Sequence, residues 1–199
     1  MSDYVVERDY ANDGTEKFIY RIISANEIQI PFRFGGLLRS SVMEVSEPNA
    51  NIMLGFFVKY LDRWHFVGLQ ALRDGGDTST DQNLGMSHGL ATRDIGSGQD
   101  LTFDSEVNFT WSADTWYWVS GYVFLENNEI KIQLDADVDL GSKTRPVSWT
   151  NRITKEVIEY DPGDPRVIEI GIWQFSRDLG TPGAIESLWD NLFVDQEET

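Results

Sequence analysis

Cysteine is absent from this 199-residue chain, so disulfides, thiolate metal sites and a cysteine nucleophile are all excluded. Basic residues are scarce: 16 Lys and Arg, of which five are Lys, stand against 33 Asp and Glu, and the net charge is −17. Nucleic acid and anionic membrane surfaces are therefore not expected as partners, because both need clustered Lys and Arg. Long hydrophobic runs are missing as well. None approaches the roughly eighteen residues of a membrane-spanning helix. The opening MSDYVVERDY has neither the basic start nor the apolar segment of a signal peptide. Membrane insertion and an export signal are not expected, while an extracellular or virion-associated setting stays open. No segment keeps helical periodicity over three turns, and no internal repeat or low-complexity tract is present.

What remains is a succession of short, alternating, β-prone runs. The best specified is residues 115–136, TWYWVSGYVFLENNEIKIQLDA. Two runs meet at Asn127-Asn128, and Asn is among the few residues that accept the positive φ of a two-residue hairpin turn. A tight turn there fixes the register. Leu125 then faces Ile130, Val123 faces Ile132 and Gly121 faces Leu134, which makes one face aliphatic. The other face carries Trp116, Trp118, Ser120, Tyr122 and Phe124 beside Lys131, Gln133 and Asp135.

The same division recurs elsewhere. Residues 52–61 and 64–72, separated by Asp62-Arg63, read as a second hairpin in which Val67, Leu69 and Ala71 alternate with Trp64, Phe66 and Gln70. Residues 167–176 put Ile168, Ile170 and Ile172 on one face and Glu169, Trp173 and Phe175 on the other. Further strands are read at 17–24, at 38–45 after a Pro and Gly-Gly break at 31–36, and at 101–111, 153–160 and 185–194. Residues 1–16 and 196–199 are expected to be peripheral. Residues 137–150 are loop-like. Residues 73–100 are weakly patterned, and a structureless loop of that length is uncommon, so this segment hides a short strand or carries function.

A chain of this length suits one domain. About ten short strands, each aliphatic on one side and aromatic-polar on the other, describe an all-β, two-sheet antiparallel jelly-roll sandwich. The aliphatic faces should meet between the sheets. The aromatic-polar faces should point outward and, on a curved sheet, gather into one groove.

Three stretches carry a resemblance. GFFVKYLDRWHFVGLQ, DTWYWVSGYVFLENNEIKIQLDA, and EIGIWQF followed by SLWDNLFV resemble the paired strands of the concanavalin A-like lectin and glucanase superfamily, which includes laminin-G-like domains. The similarity covers roughly residues 50–195. It implies a jelly roll, and it leaves activity open because that fold serves lectins, glycosidases, lyases and protein-binding modules alike.

The glucanase members carry a Glu-x-Asp-x-Glu strand, since retaining hydrolysis needs two carboxyl groups about 5 Å apart. No such motif exists here. Asp135 and Asp137, with Asp139 following, come nearest, and their place at a strand end favours a solvated turn; Glu169 beside Trp173 is a rival acid. Neither a Gly-x-Ser-x-Gly elbow nor an EF-hand is present, because Leu140 and Pro146 stand where a calcium loop needs Gly and Glu. Of the two histidines, His65 alternates with aliphatic residues and reads as core, while His88 falls in the long loop. No cofactor is required, but the resemblance implies a structural calcium, held between Asp190 and either Glu7 or Asp9.

Binding chemistry is better represented. Sugars present flat apolar patches edged by hydroxyls, which suit exposed rings with amide and carboxylate groups nearby. Trp116, Trp118, Tyr122, Gln133, Asp135, Gln70, Glu169 and Trp173 supply that chemistry, and the alternation is read as placing them on one face. The first reading is a non-enzymatic carbohydrate-binding or adhesive module whose partner is a glycan. A polysaccharide hydrolase or lyase of the same fold is the second, and a structural part of a virion or surface assembly the third.

Overall fold

The computed structural model describes residues 4–10, 17–41, 51–60, 63–72, 81–90, 102–157, 167–177 and 183–196. They form twelve strands: β1 (Tyr4–Tyr10), β2 (Lys17–Glu27), β3 (Phe32–Ser40), β4 (Asn51–Tyr60), β5 (Arg63–Leu72), β6 (Asp81–Leu90), β7 (Thr102–Asn108), β8 (Tyr117–Glu126), β9 (Glu129–Val138), β10 (Asn151–Val157), β11 (Val167–Arg177) and β12 (Gly183–Gln196). Two six-stranded antiparallel sheets result. Sheet I runs β1-β12-β3-β8-β9-β10 and sheet II runs β2-β11-β4-β5-β6-β7. No helix among the described residues is long and apolar enough to cross a membrane.

The turn at Asn127-Asn128 follows from its residue types. Both residues hold positive φ, 54° and 64°, and the pairing is Leu125 with Ile130, Val123 with Ile132 and Gly121 with Leu134. In the second hairpin Tyr60 pairs with Arg63. Arg63 thus opens β5 instead of sitting in the turn, a shift of one residue from the expected connection.

Alternation then builds the core. The inner face of sheet I contributes Phe32, Phe34, Val119, Val123, Ile132, Leu134 and Trp189, and that of sheet II contributes Leu54, Phe56, Val67, Leu69, Ile170 and Ile172. His65 is 6% exposed and keeps the alternation of Val67 and Leu69. Each such apolar side chain contributes about 1.5–3 kcal/mol by leaving water. One polar contact crosses this layer, where Ser187 Oγ donates to Gln174 Oε1 at 2.6 Å.

One segment differs from the sequence expectation, and a second settles an alternative that it left open. Residues 31–36 are no break, because β3 runs straight through Gly35-Gly36 and pairs with β8 and β12. At Gly35 φ is 154°, and a Cβ there would stand 2.2 Å from the Val119 carbonyl oxygen. Glycine is needed for that close approach of backbones. The expected strand at 38–45 accordingly starts earlier, and residues 42–50 lie outside the described ones. Within 73–100, the weakly patterned segment holds a ten-residue strand, β6. Among its described side chains Leu84 and Met86 join the core, with Gly85 between them carrying no pattern.

Candidate functional site

The site is built on Asp135. Its strand neighbours Leu134 and Ala136 belong to the core, so alternation turns Asp135 to the outer face of sheet I, where it is nevertheless 0% exposed. A carboxylate removed from water must be paired. Arg33 of β3 supplies Nη1 at 2.6 Å from Oδ2, Gln133 donates Nε2–H to the same oxygen at 2.7 Å, and Arg152 of β10 donates Nε–H to Oδ1 at 3.0 Å. Arg33 Nη1 also reaches Ser120 Oγ at 3.2 Å. Register brings these groups together: Ser120 pairs with Asp135 across β8 and β9, and Asp135 pairs with Arg152 across β9 and β10. The Arg33 guanidinium lies 4.7 Å from the centre of the Tyr122 ring, and Tyr122 stacks on Phe124 at 5.0 Å.

Residues 139–150 fold over this face as a strap. Asp139 starts it by accepting hydrogen bonds from the backbone N–H of Gly141 at 3.1 Å and of Lys143 at 3.0 Å. Lys143 holds a positive φ of 51°, a sparsely populated conformation that persists only where the surroundings fix it. They do so here. Its ammonium sits 2.6 Å from Asp190 Oδ2 and 4.8 Å from the centre of the Trp116 ring, while its carbonyl accepts from Asn191 Nδ2 at 3.1 Å. Farther along, Arg145 pairs with Asp195 and lies 4.4 Å from the Phe193 ring centre. The strap ends where the Thr150 hydroxyl and N–H both bond the Asp137 carboxylate.

Between strap and sheet lies a cleft of about 620 Å³, lined by Arg33, Arg145 and Arg152 together with Pro146, Val147, Ser148 and Trp149. Trp149 is partly exposed, with the Arg33 guanidinium 5.8 Å from its ring centre.

No family model and no curated protein matches this chain. Solved structures do. A β-glucanase catalytic domain of the GH131 class from Podospora anserina aligns at 13% identity and a TM-score of 0.49, covering 99% of this chain and 73% of that one. A functionally unknown protein from Saccharomyces cerevisiae aligns at 11% identity and a TM-score of 0.48, covering 99% and 89%. The carbohydrate recognition domain of Emp46p, in a metal-free form, gives 11% identity and a TM-score of 0.44, covering 96% and 89%. Likeness at this level says nothing about ligand or activity.

The residues expected to share one face lie on two sheets. Trp118, Tyr122, Gln133 and Asp135 are on the outer face of sheet I, with Trp116 immediately ahead of β8. Gln70, Glu169 and Trp173 are on sheet II, across the sandwich, so no single groove gathers them. Trp173 is 1% exposed and donates its indole N–H to the Phe56 carbonyl at 2.9 Å. It packs with Met53, Phe57, Trp64, Phe66 and Phe175 in a second apolar cluster on the outer side of sheet II. Gln70 is buried as well, and Glu169 pairs with Lys59 at 3.3 Å. On sheet I, Trp118, Gln133 and Asp135 are buried; Asp135 holds two arginines of the cleft, Trp118 lies against Phe193 with ring centres 6.4 Å apart, and Tyr122 is partly exposed. Asp135 and Asp137 form no solvated turn; one anchors two arginines, the other the end of the strap.

Asp190 is occupied by the Lys143 ammonium, and in the register of β1 with β12 Glu7 pairs with Glu186 and Asp9 with Ala184. Those positions are four and six residues along β12 from Asp190, roughly 13 and 20 Å at strand spacing. Among the described residues no group of three or more His, Asp or Glu is placed to hold a metal.

Sequence reasoning missed Arg33, Arg145, Trp149 and Arg152. Arg33 falls in the segment read as a break, and the other three in or beside a segment read as loop. A signal was present: in a chain with 16 basic residues, two arginines flank a tryptophan shortly after the Asp135 to Asp139 run.

Proposed function

We propose that this chain is a carbohydrate-binding module whose ligand occupies the cleft between sheet I and the strap. The observation that carries the reading is the composition of that cleft, in which a partly exposed Trp149 ring stands among directed N–H donors held by Asp135 and Asp195. The lining is more polar than the usual small-ligand pocket, and a ring among directed donors matches a sugar's apolar patch edged by hydroxyls. The same lining weighs against hydrolysis there. Among the described residues it includes no Asp or Glu; of the two acids seen paired with its arginines, Asp135 is fully buried and bonded to Arg33, Arg152 and Gln133 and Asp195 is bonded to Arg145, whereas glycoside hydrolysis requires a pair of carboxyl groups flanking the bond.

A glycan array followed by titration calorimetry on the full chain tests the reading. The expected result is saturable binding that Trp149→Ala weakens about tenfold, the equivalent of about 1.4 kcal/mol, with an unchanged melting temperature. Absence of binding to every glycan, or Trp149→Ala binding as well as the parent, sinks it. Release of reducing sugar without loss on Trp149→Ala moves the activity elsewhere.

A further inference from the structure

We infer that the cleft selects an acidic glycan, one whose carboxylate or sulfate is bound by Arg152 and Arg145. The inference rests on the carbohydrate reading above and adds the ligand's charge. In a chain of net charge −17, three of the eleven arginines line one cleft. Their anchoring leaves donors over. Arg152 spends its Nε–H on Asp135 and Arg145 spends Nη1 on Asp195; the terminal amino groups of Arg152, and Nε and Nη2 of Arg145, find no partner among the described residues.

A guanidinium offers five N–H donors in a planar fork, and two parallel N–H bonds to one carboxylate or sulfate are its strongest use. Placement supports that use. Asp135 lies buried beneath the guanidiniums and grips Arg152 by Nε, so the outer edge of the fork is the edge left for solvent, and the Arg152 side chain is 54% exposed. Arg145 is 42% exposed. Among the described residues Asp135 and Asp195 pair with these cations, and the next acid along β9, Asp137, directs both oxygens to Thr150. The cleft is therefore an island of hydrogen-bond donation on a strongly acidic molecule. A polyanion is repelled by the rest of the surface, so its binding must be local and directed.

The test titrates the full chain with three hexasaccharides: a neutral β-glucan, an oligogalacturonate as carboxylated probe, and a heparin-derived fragment as sulfated probe. One acidic probe is expected to bind at least tenfold more tightly than the neutral one. Arg152→Gln and Arg145→Gln should each weaken it about fivefold or more, and by a larger factor than they weaken neutral binding. Arg152→Lys should restore only part of the loss, because it keeps the charge without the fork. Preference for the carboxylated or for the sulfated probe identifies the acid group. Equal or tighter binding of the neutral sugar overturns the acidic preference and leaves the carbohydrate reading standing. Acidic binding that both arginine variants retain, with folding confirmed by circular dichroism, overturns the assignment to this cleft. Failure of both acidic probes overturns the acidic preference, while the carbohydrate reading is decided by the glycan array.

Discussion

A single buried carboxylate organises the outer face of sheet I. Asp135 receives hydrogen bonds from Arg33, Gln133 and Arg152, but the two arginines are unequal partners. Arg33 has 12% of its side chain exposed and Arg152 54%, so the first pairing is shielded and the second is largely solvated. Removing one member of a buried pair strands the other, which costs about 3 kcal/mol or more, whereas a solvated pair contributes less than about 1 kcal/mol. Urea unfolding should accordingly find Asp135→Ala destabilised by about 3 kcal/mol and Arg152→Ala by under about 1. Equal losses from the two substitutions would contradict this ranking. The stability carried by Arg33 is thus separable from the ligand contact proposed for Arg152.

The elements show how far alternation reads and where it fails. The hairpin of β8 and β9 was legible to the residue because its turn chemistry and its two aliphatic runs agree: positive φ at Asn127 and Asn128 sets the register that buries Val123, Ile132 and Leu134. Strand β3 was hidden because Pro31 and Gly35-Gly36 look like punctuation, whereas the glycine serves a close approach to β8. Strand β6 was hidden because its outward positions include Asn83 and Gly85, and glycine carries no pattern. Pattern also could not assign the aromatic-polar faces to sheets, since period two is the same on either side of a sandwich; only the pairing of β8 and β9 with β3, and of β5 and β11 with β4, separates them. Gly121 tests the packing logic of the hairpin. A Cβ there would lie 2.3 Å from Phe34 Cζ, and Phe34 is fully buried against the core. Gly121→Ala must displace that ring, and an overpacked core costs typically 1–3 kcal/mol, so a loss of about 2 kcal/mol is expected in the same unfolding assay. A neutral substitution would mean that Phe34 has room to move.

For the whole molecule the governing quantities are charge and the distribution of rings. A net charge of −17 opposes compaction through self-repulsion, and added salt shortens its range from about 30 Å at 0.01 M to about 3 Å at 1 M. Raising sodium chloride from 10 to 500 mM should therefore raise the melting temperature, by about 2–4 °C for each kcal/mol relieved, even as it weakens the exposed ion pair of Arg145 with Asp195. A falling melting temperature would show that the ion pairs outweigh the repulsion. The rings have an optical consequence. Of seven tryptophans, Trp64, Trp111, Trp118, Trp173 and Trp189 are at most 5% exposed, which leaves the partly exposed Trp116, held beside Lys143 at the strap, and Trp149, in the cleft wall. The five buried indoles emit toward the blue and are shielded from aqueous quenchers. The red edge of the spectrum, and whatever acrylamide removes from it, belongs to the two indoles of the strap region, so the native chain carries its own reporter of cleft occupancy without any attached dye.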